Sequence, residues 1–135
     1  MAILKVARMG HPVLRTKAEP LTRSEITKPA LQKLIDDMME TMIEYRGVGL
    51  AAPQIHESLR LFVTMIDEPT EDEPDPDPVA MINPEITVVG SEVVEDWEGC
   101  LSIPDIRGKA RSIAHGTVSR NAVTVRVGHT LQGSG

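Results

Sequence analysis

The chain has 135 residues, 41% of them hydrophobic and 25% charged, which is typical of one globular domain spanning 1–135 and not of a disordered chain. Its formal net charge of −6 argues against general nucleic-acid binding, because contact with phosphates requires a basic face. A single cysteine excludes an internal disulfide, and neither a signal peptide nor a membrane-spanning apolar run is present, so we expect a cytoplasmic protein without membrane contact.

The N-terminal stretch 3–16 is interrupted by Gly10 and Pro12. Proline fixes its own φ and biases the preceding residue away from the helical region, so we expect an extended arm packed across a surface and not a helix. His11 stands alone beside the proline, and a structural role is therefore favoured over metal ligation.

A helix is predicted over Pro29–Tyr45, with Thr27 as its cap and Gly47 as its end. Apolar residues recur there at spacings of three and four, which places them on one buried stripe. The stripe consists of Leu31, Leu34, Ile35, Met38, Met42 and Tyr45. At this spacing the methionines are interpreted as core and not as a soft-metal cluster.

Short strands are predicted along the rest of the chain from apolar and β-branched runs bounded by turn residues. They are Leu59–Ile66, a short piece at Ile82 ended by Asn83-Pro84, the pair Ile86–Val89 and Val93–Val94 around a Gly90-Ser91 turn, and Val123–Val127. Between the first two, the acidic and proline-rich run 67–78 is predicted to be an exposed mobile loop, because it repels itself and has little apolar surface to bury.

The predicted helix runs directly into Gly47-Val48-Gly49-Leu50-Ala51-Ala52-Pro53-Gln54. Two glycines at alternate positions allow unusual backbone conformations and leave main-chain groups accessible to an extended ligand. A plain connection from helix to strand would also contain glycine and proline, so this stretch by itself is a weak signal.

A second stretch, Glu98-Gly99-Cys100-Leu101-Ser102, contains the only cysteine. A thiolate is a soft metal ligand and a nucleophile, and Gly99 leaves room for a small substrate or another backbone beside the sulfur. On composition alone, a lone cysteine is more often a small buried apolar residue.

Together the two stretches resemble peptide deformylase, whose family carries the motifs GxGLAAxQ, EGCLS and HExxH. The first two motifs are present here at 47–54 and 98–102. The resemblance implies an α+β fold in which antiparallel sheets pack around a helix. It also implies a metal-dependent hydrolase, using iron, that removes the N-formyl group from formyl-methionyl nascent peptides, which it could meet at the ribosome.

The same resemblance implies a role for each matching residue. Cys100 would ligate Fe²⁺, with Zn²⁺, Ni²⁺ or Co²⁺ as alternatives, while Gln54 and the backbone N–H of Leu101 would stabilise the oxyanion. Glu98 would pair with Arg107. The substrate peptide would be held by Gly47, Val48, Gly49, Glu98 and Gly99, with Val48 lining the methionine pocket.

The third motif, HExxH, is absent from the 135 residues, so the two histidine ligands and the proton-shuttling glutamate of the family are not in this chain. His115 and His129 do not reproduce two ligands one helical turn apart. The sequence therefore predicts a C-terminally incomplete deformylase-like domain without its motif helix, and relatedness to the family is favoured over activity of this polypeptide.

Two other hypotheses remain open from the residues. The chain could be a non-catalytic module that captures extended peptides around Gly47–Gln54 without cleaving them. Alternatively, Cys100 could act as a nucleophile together with His115 or His129.

Overall fold

The computed structural model describes residues 2–74, 76–114, 116–118, 123–126 and 132–133. Within this part of the chain there are two α-helices, two 3-10 helices and nine β-strands. The helices are α1 (Arg23–Ile26) and α2 (Pro29–Glu44), and the 3-10 helices are Pro12–Arg15 and Ala52–Ile55. The strands are β1 (Gly49–Ala51), β2 (Leu61–Thr64), β3 (Val79–Ile82), β4 (Ile86–Val88), β5 (Val93–Cys100), β6 (Ile103–Ile113), β7 (Gly116–Val118), β8 (Val123–Arg126) and β9 (Gln132–Gly133).

The main sheet has five strands in the order β1-β2-β3-β8-β9, and every pairing in it is antiparallel. Along β2 the buried residues Leu61 and Val63 alternate with half-exposed ones, which is the period of a sheet with one covered face. In the centre of the sheet, β3 buries Val79, Ala80 and Ile82. The expected α+β architecture of antiparallel sheets around a helix is confirmed.

Helix α2 covers this sheet and supplies the largest share of the core. Its buried face contains Leu31, Ile35, Met38, Met39 and Met42, all less than a tenth exposed. The predicted apolar stripe is thus confirmed, except that Tyr45 is 48% exposed. In a chain with three aromatic residues, these methionines fill the space under the sheet because unbranched thioethers adapt to irregular gaps.

The predicted cap of this helix is wrong. Lys28 is the N-cap residue of α2 and makes no side-chain capping bond. The capping chemistry lies one helix earlier, where Thr22 and Glu25 form a capping box on α1. At the other end the N–H of Gly47 donates to the carbonyl of Met42 at 2.9 Å, so the helix closes where a glycine was expected to end it.

The N-terminal arm, residues 2–9, runs across α2 and then reaches the loops that follow β1 and β5. The N–H of Ala2 donates to Asp37 Oδ1 at 2.7 Å, and the N–H of Leu4 donates to Thr41 Oγ1 at 2.8 Å. The expected surface-packing arm is confirmed. The prediction of no helix holds only up to His11, since Pro12–Arg15 forms one 3-10 turn.

Two further ribbons extend from the main sheet, and their pairing differs from the expectation. The strands predicted over 86–89 and 93–94 were expected to pair around Gly90, but β4 pairs with β7 and β5 pairs with β6. Gly90 does adopt a positive φ of 72°, so the chain turns there without closing a hairpin. The β5–β6 ribbon is exposed along most of its length.

The acidic run contains no helix or strand among its described residues. Residues 67–74 are exposed, as expected, but Pro76 and Pro78 are buried next to β3. The expectation that the whole run is exposed is therefore wrong at its C-terminal end, where the chain enters the core. In the described part of the chain, no helix has the length and apolarity needed to cross a membrane.

Candidate functional site

The side chain of Gln54 is held by hydrogen bonds at both ends of its amide. It lies in the 3-10 helix that follows β1, and its Oε1 accepts from the N–H of Ala51 at 2.9 Å. Its Nε2 donates to Ser102 Oγ at 3.2 Å and lies 3.5 Å from Cys100 Sγ. Because Oε1 is already bound to a backbone N–H, the donor end of the amide is directed toward the sulfur.

Cys100 ends strand β5 at an irregularity in the ribbon. Gly99 pairs with Arg107, whereas Cys100 pairs with Ile103, so the register shifts between Gly99 and Cys100. Such a bulge bends the strand and re-aims the next side chain. The sulfur is free and exposed, and it faces the Gln54 amide although the two residues are 46 positions apart.

Ser102 was given no role from the sequence, yet it is the buried support of this arrangement. The residue is 4% exposed, and its hydroxyl accepts from Gln54. Its carbonyl accepts from the N–H of Met9 at 2.9 Å, while the carbonyl of Gln54 accepts from the N–H of Ala7 at 2.6 Å. The N-terminal arm thus ties together the two segments that carry the amide and the thiol.

The two sequence motifs pack against each other through a contact between Gly47 and Leu101. A Cβ on Gly47 would lie 2.8 Å from Leu101 Cδ1, so the leucine packs where any other residue would place its side chain. Gly49 is different, since a Cβ there would meet only ordinary contacts at 3.6 and 3.7 Å. Among the described strands, Gly49 belongs to β1, which lies at the edge of the main sheet, and such an edge is where an extended peptide can add as another strand.

All eight residues predicted for the site line one cavity of about 1170 Å³. They are Gly47, Val48, Gly49, Gln54, Glu98, Gly99, Cys100 and Leu101. Val48 is 78% exposed in this cavity, so its apolar side chain is available to a ligand. The volume exceeds the range of about 300–1,000 Å³ typical of small-molecule pockets, which suits a peptide.

The expected ion pair between Glu98 and Arg107 is not formed. In the β5–β6 register Glu98 faces Gly108, and Arg107 faces Gly99. Successive side chains of a strand point to opposite faces, so Glu98 and Arg107 lie on opposite faces of the ribbon. Glu98 instead accepts from the hydroxyl of Ser112 at 3.2 Å.

His11 lies closer to the thiol than the sequence suggested. It lines a second cavity of about 290 Å³ with Gln54, Cys100 and Ser102. Its Nδ1 accepts from the N–H of Val13 at 3.1 Å, and its ring meets His56 edge-on at a centroid distance of 4.7 Å. The capping bond accords with the expected structural role, and no local sequence signal linked this histidine to Cys100.

The described residues do not complete a metal site by themselves. No group of three or more His, Cys, Asp or Glu side chains among them is arranged to hold a metal ion. Cys100 has suitable thiolate chemistry, but it is one ligand where catalytic sites use about three from the protein. His115 and His129, the partners of the nucleophile hypothesis, lie outside the described residues.

Comparison with known proteins gives a consistent result. The family model described as polypeptide deformylase matches residues 3–119. "Peptide deformylase 2" of Nostoc sp. is 42% identical over 109 residues, which cover 78% of this chain and 59% of that protein. The peptide deformylase of Halothermothrix orenii is 42% identical over 131 residues, covering 94% of this chain and 78% of that protein.

Solved structures agree with the sequence relatives. The Met-Ala-Ser-bound class I type b peptide deformylase of Acinetobacter baumannii superimposes with a TM-score of 0.74 at 32% identity, covering 97% of this chain and 81% of that one. The chain spans less than two thirds of several curated relatives that it matches, from 55% to 62% in the proteins of Salinibacter ruber, Nostoc sp. and Leptospira biflexa. On the matched residues, this chain belongs to the peptide deformylase family.

Proposed function

We propose that this chain acts in the removal of the N-formyl group from peptides that begin with formyl-methionine. The observation that carries the proposal is the meeting of the Gln54 amide and the Cys100 sulfur at 3.5 Å in a cavity bordered by an edge strand. The similar Acinetobacter baumannii protein was crystallised with Met-Ala-Ser bound, a peptide with an N-terminal methionine. The relatives are named as deformylases, which gives no support to the non-catalytic hypothesis.

In this proposal the peptide lies along β1, beside Gly47, Val48 and Gly49, as an added antiparallel strand. Backbone hydrogen bonds then provide affinity, and the exposed Val48 contacts the methionine side chain. The N–H groups of the Gln54 amide and of the Leu101 backbone point toward the formyl carbonyl. Donors placed in advance stabilise the charge that develops on that oxygen as the amide bond is attacked.

Peptide deformylases are metal-dependent, and Cys100 is our candidate for a thiolate ligand. Ferrous iron is the metal that we propose, with zinc, nickel or cobalt as chemically acceptable substitutes. The set of ligands described here is incomplete, so we assign to this chain only binding and orientation of the peptide, the two oxyanion donors and one thiolate.

The substrate class also suggests where the protein acts. Formyl-methionyl peptides arise at the ribosome, so we propose that the chain meets nascent peptides there, in the cytoplasm. The net charge of −6 makes direct binding to exposed ribosomal RNA an unfavourable route, and the nascent peptide itself is the expected partner.

The test measures peptide binding and turnover on the same protein. Binding of Met-Ala-Ser is followed by the fluorescence of Trp97, the only tryptophan, which lines the large cavity. Turnover of formyl-Met-Ala-Ser is measured after anaerobic loading with iron. In a version that also supplies the family's two histidine ligands, Gln54→Ala should lower kcat by about 10²- to 10³-fold, the usual loss for one oxyanion donor. Absence of peptide binding would overturn the proposal, and binding without turnover in the version that supplies both histidine ligands would favour the non-catalytic module.

The ligand assignment has a separate readout. Cobalt(II) bound to a thiolate gives a charge-transfer absorption that cobalt bound to oxygen or nitrogen lacks. Cobalt added to the protein should produce this band, and Cys100→Ala should remove it. A band that persists in Cys100→Ala would refute Cys100 as a ligand.

A further inference from the structure

The large cavity is cationic, although the chain as a whole is acidic. The residues that line it include four basic ones, Lys5, Arg8, Arg46 and Arg107, and two acidic ones, Glu98 and Asp105. The formal charge of the lining is therefore +2, as four minus two, in a chain of net charge −6. A concave surface of one sign concentrates its field on the ligand inside it.

The four basic side chains are not neutralised within the described part of the chain. The ion pairs found there are Lys33–Asp37, Arg60–Glu85 and Lys109–Glu95, and none of the four takes part. Of the two carboxylates in the lining, Glu98 accepts from the Ser112 hydroxyl. Unpaired cations of like charge in one cavity repel one another, so a ligand that brings negative charge relieves that repulsion.

The basic residues come from three elements that surround the candidate peptide site. Lys5 and Arg8 belong to the N-terminal arm. Arg46 connects α2 to Gly47 and β1 and adopts a left-handed φ of 56°, a conformation that is unfavourable for a residue with a side chain. On β6, Arg107 lies against Gly99, where its Cγ and Nε are 3.6 and 3.8 Å from the position that a Cβ would take.

We propose that this cavity selects peptides by charge and prefers an acidic side chain in the residues that follow the N-terminal methionine. The inference rests on the proposed peptide site and adds a substrate preference to it. An extended peptide along β1 places its later side chains among Arg46, Arg107 and the arm. A carboxylate there gains ion pairs, an amide gains none, and an ammonium group is repelled.

The test compares three peptides that differ at one side chain. Formyl-Met-Ala-Xaa-Ala amides with Xaa as Glu, Gln or Lys carry no terminal carboxylate, so the third residue alone sets their charge. Their affinities are measured from Trp97 fluorescence at low and at high salt. The Glu peptide should bind about two- to fivefold more tightly than the Gln peptide at low salt, the range expected for an exposed ion pair, and the Lys peptide more weakly. The ratio should approach one near 1 M salt, where the Debye length is about 3 Å.

Variants assign the preference to the named cations. In the double variant Arg46→Gln and Arg107→Gln the Glu-to-Gln affinity ratio should fall toward one. As a control, Lys17→Gln combined with Arg23→Gln, at two exposed cations outside the cavity lining, removes the same charge and should keep the ratio. Equal binding of the three peptides at low salt, or an unchanged ratio in the double variant, would overturn the charge preference alone. Failure of all three peptides to bind would overturn the peptide site itself and this inference with it.

Discussion

The carboxamide nitrogen of Gln54 lies 3.5 Å from the sulfur of Cys100, and the same nitrogen lies 3.2 Å from the hydroxyl of Ser102. Three side chains from two distant segments thus meet at one point of the cavity. The N-terminal arm bonds to both of them, through Ala7 and Met9, so the site depends on a segment that contributes no catalytic group.

The contact between Gln54 and Ser102 should be measurable as a coupling free energy in a double-mutant cycle. Removing either partner costs about 0.5–1.5 kcal/mol of folding free energy, the usual net value of one hydrogen bond. In a cycle of Gln54→Ala, Ser102→Ala and the double variant, the losses should be less than additive. Urea unfolding measures each free energy. Strictly additive losses would show that the two side chains do not interact in solution.

Gly47→Ala should weaken binding of Met-Ala-Ser, whereas Gly49→Ala should fold and pack normally. The added Cβ at position 47 lies 2.8 Å from Leu101 Cδ1, so the leucine side chain must shift next to the proposed oxyanion donor. At position 49 the new contacts of 3.6 Å or more are ordinary. Peptide titration and urea unfolding give the peptide affinity and the stability of both variants. Equal affinities and equal stabilities in the two variants would contradict this prediction.

Asp37→Ala should destabilise the protein by about 1–3 kcal/mol, because the N–H of Ala2 and the ammonium of Lys33 lose a nearly buried partner. Asp36→Ala is a suitable control on the same helix, since Asp36 bonds to the side chain of Gln32 and not to the arm. Urea unfolding at neutral pH measures both. A loss in Asp37→Ala no larger than in the control would mean that the arm is not held by this carboxylate.

The carboxylate of Asp37 should also make the stability of the protein depend on pH. Burial raises the pKa of Asp37, but the hydrogen bonds from Lys33 and Ala2 and the positive charge of Lys33 outweigh it, so the pKa lies below its ordinary value of 3.8. A depressed pKa adds stability that is present above the unfolded-state value and is lost as the pH falls through the folded-state value. The stability difference between wild type and Asp37→Asn should therefore be constant near neutral pH and shrink below about pH 4. A stability difference between the two proteins that grows on acidification would contradict a lowered pKa of Asp37.

Met38→Ala should cost about 2–5 kcal/mol, because Met38 is fully buried and its removal leaves a cavity under the sheet. Met9→Ala is the matched control, since Met9 is 72% exposed, and it should change stability by no more than about 0.5 kcal/mol. Thermal or urea unfolding compares them. Similar losses of stability in the two variants would show that Met38 is not part of the core.

Much of the local structure follows from local pattern. The stripe from Leu31 to Met42 predicts α2 because residues three and four apart share a helix face wherever the helix packs. The strand around Val63 and the turn at Gly90 follow from residue type in the same way. The errors fall where local rules compete: Thr27 was a chemically reasonable cap, but the chain caps α1 at Thr22 and begins α2 at a proline.

The candidate site residues follow from the two motifs, but their spatial relations to one another do not. Which face Arg107 occupies depends on the register shift at Gly99, and a shift of one residue reverses every side chain beyond it. The burial of Ser102 and the approach of His11 to Cys100 depend equally on pairings between distant segments. The amino-acid order carries the helix period and the motif letters, because these are properties of neighbouring residues. The meeting of amide, hydroxyl and thiol, and the cationic lining around them, arise only when the arm, β1 and the β5–β6 ribbon pack together, because those contacts join residues far apart in the chain.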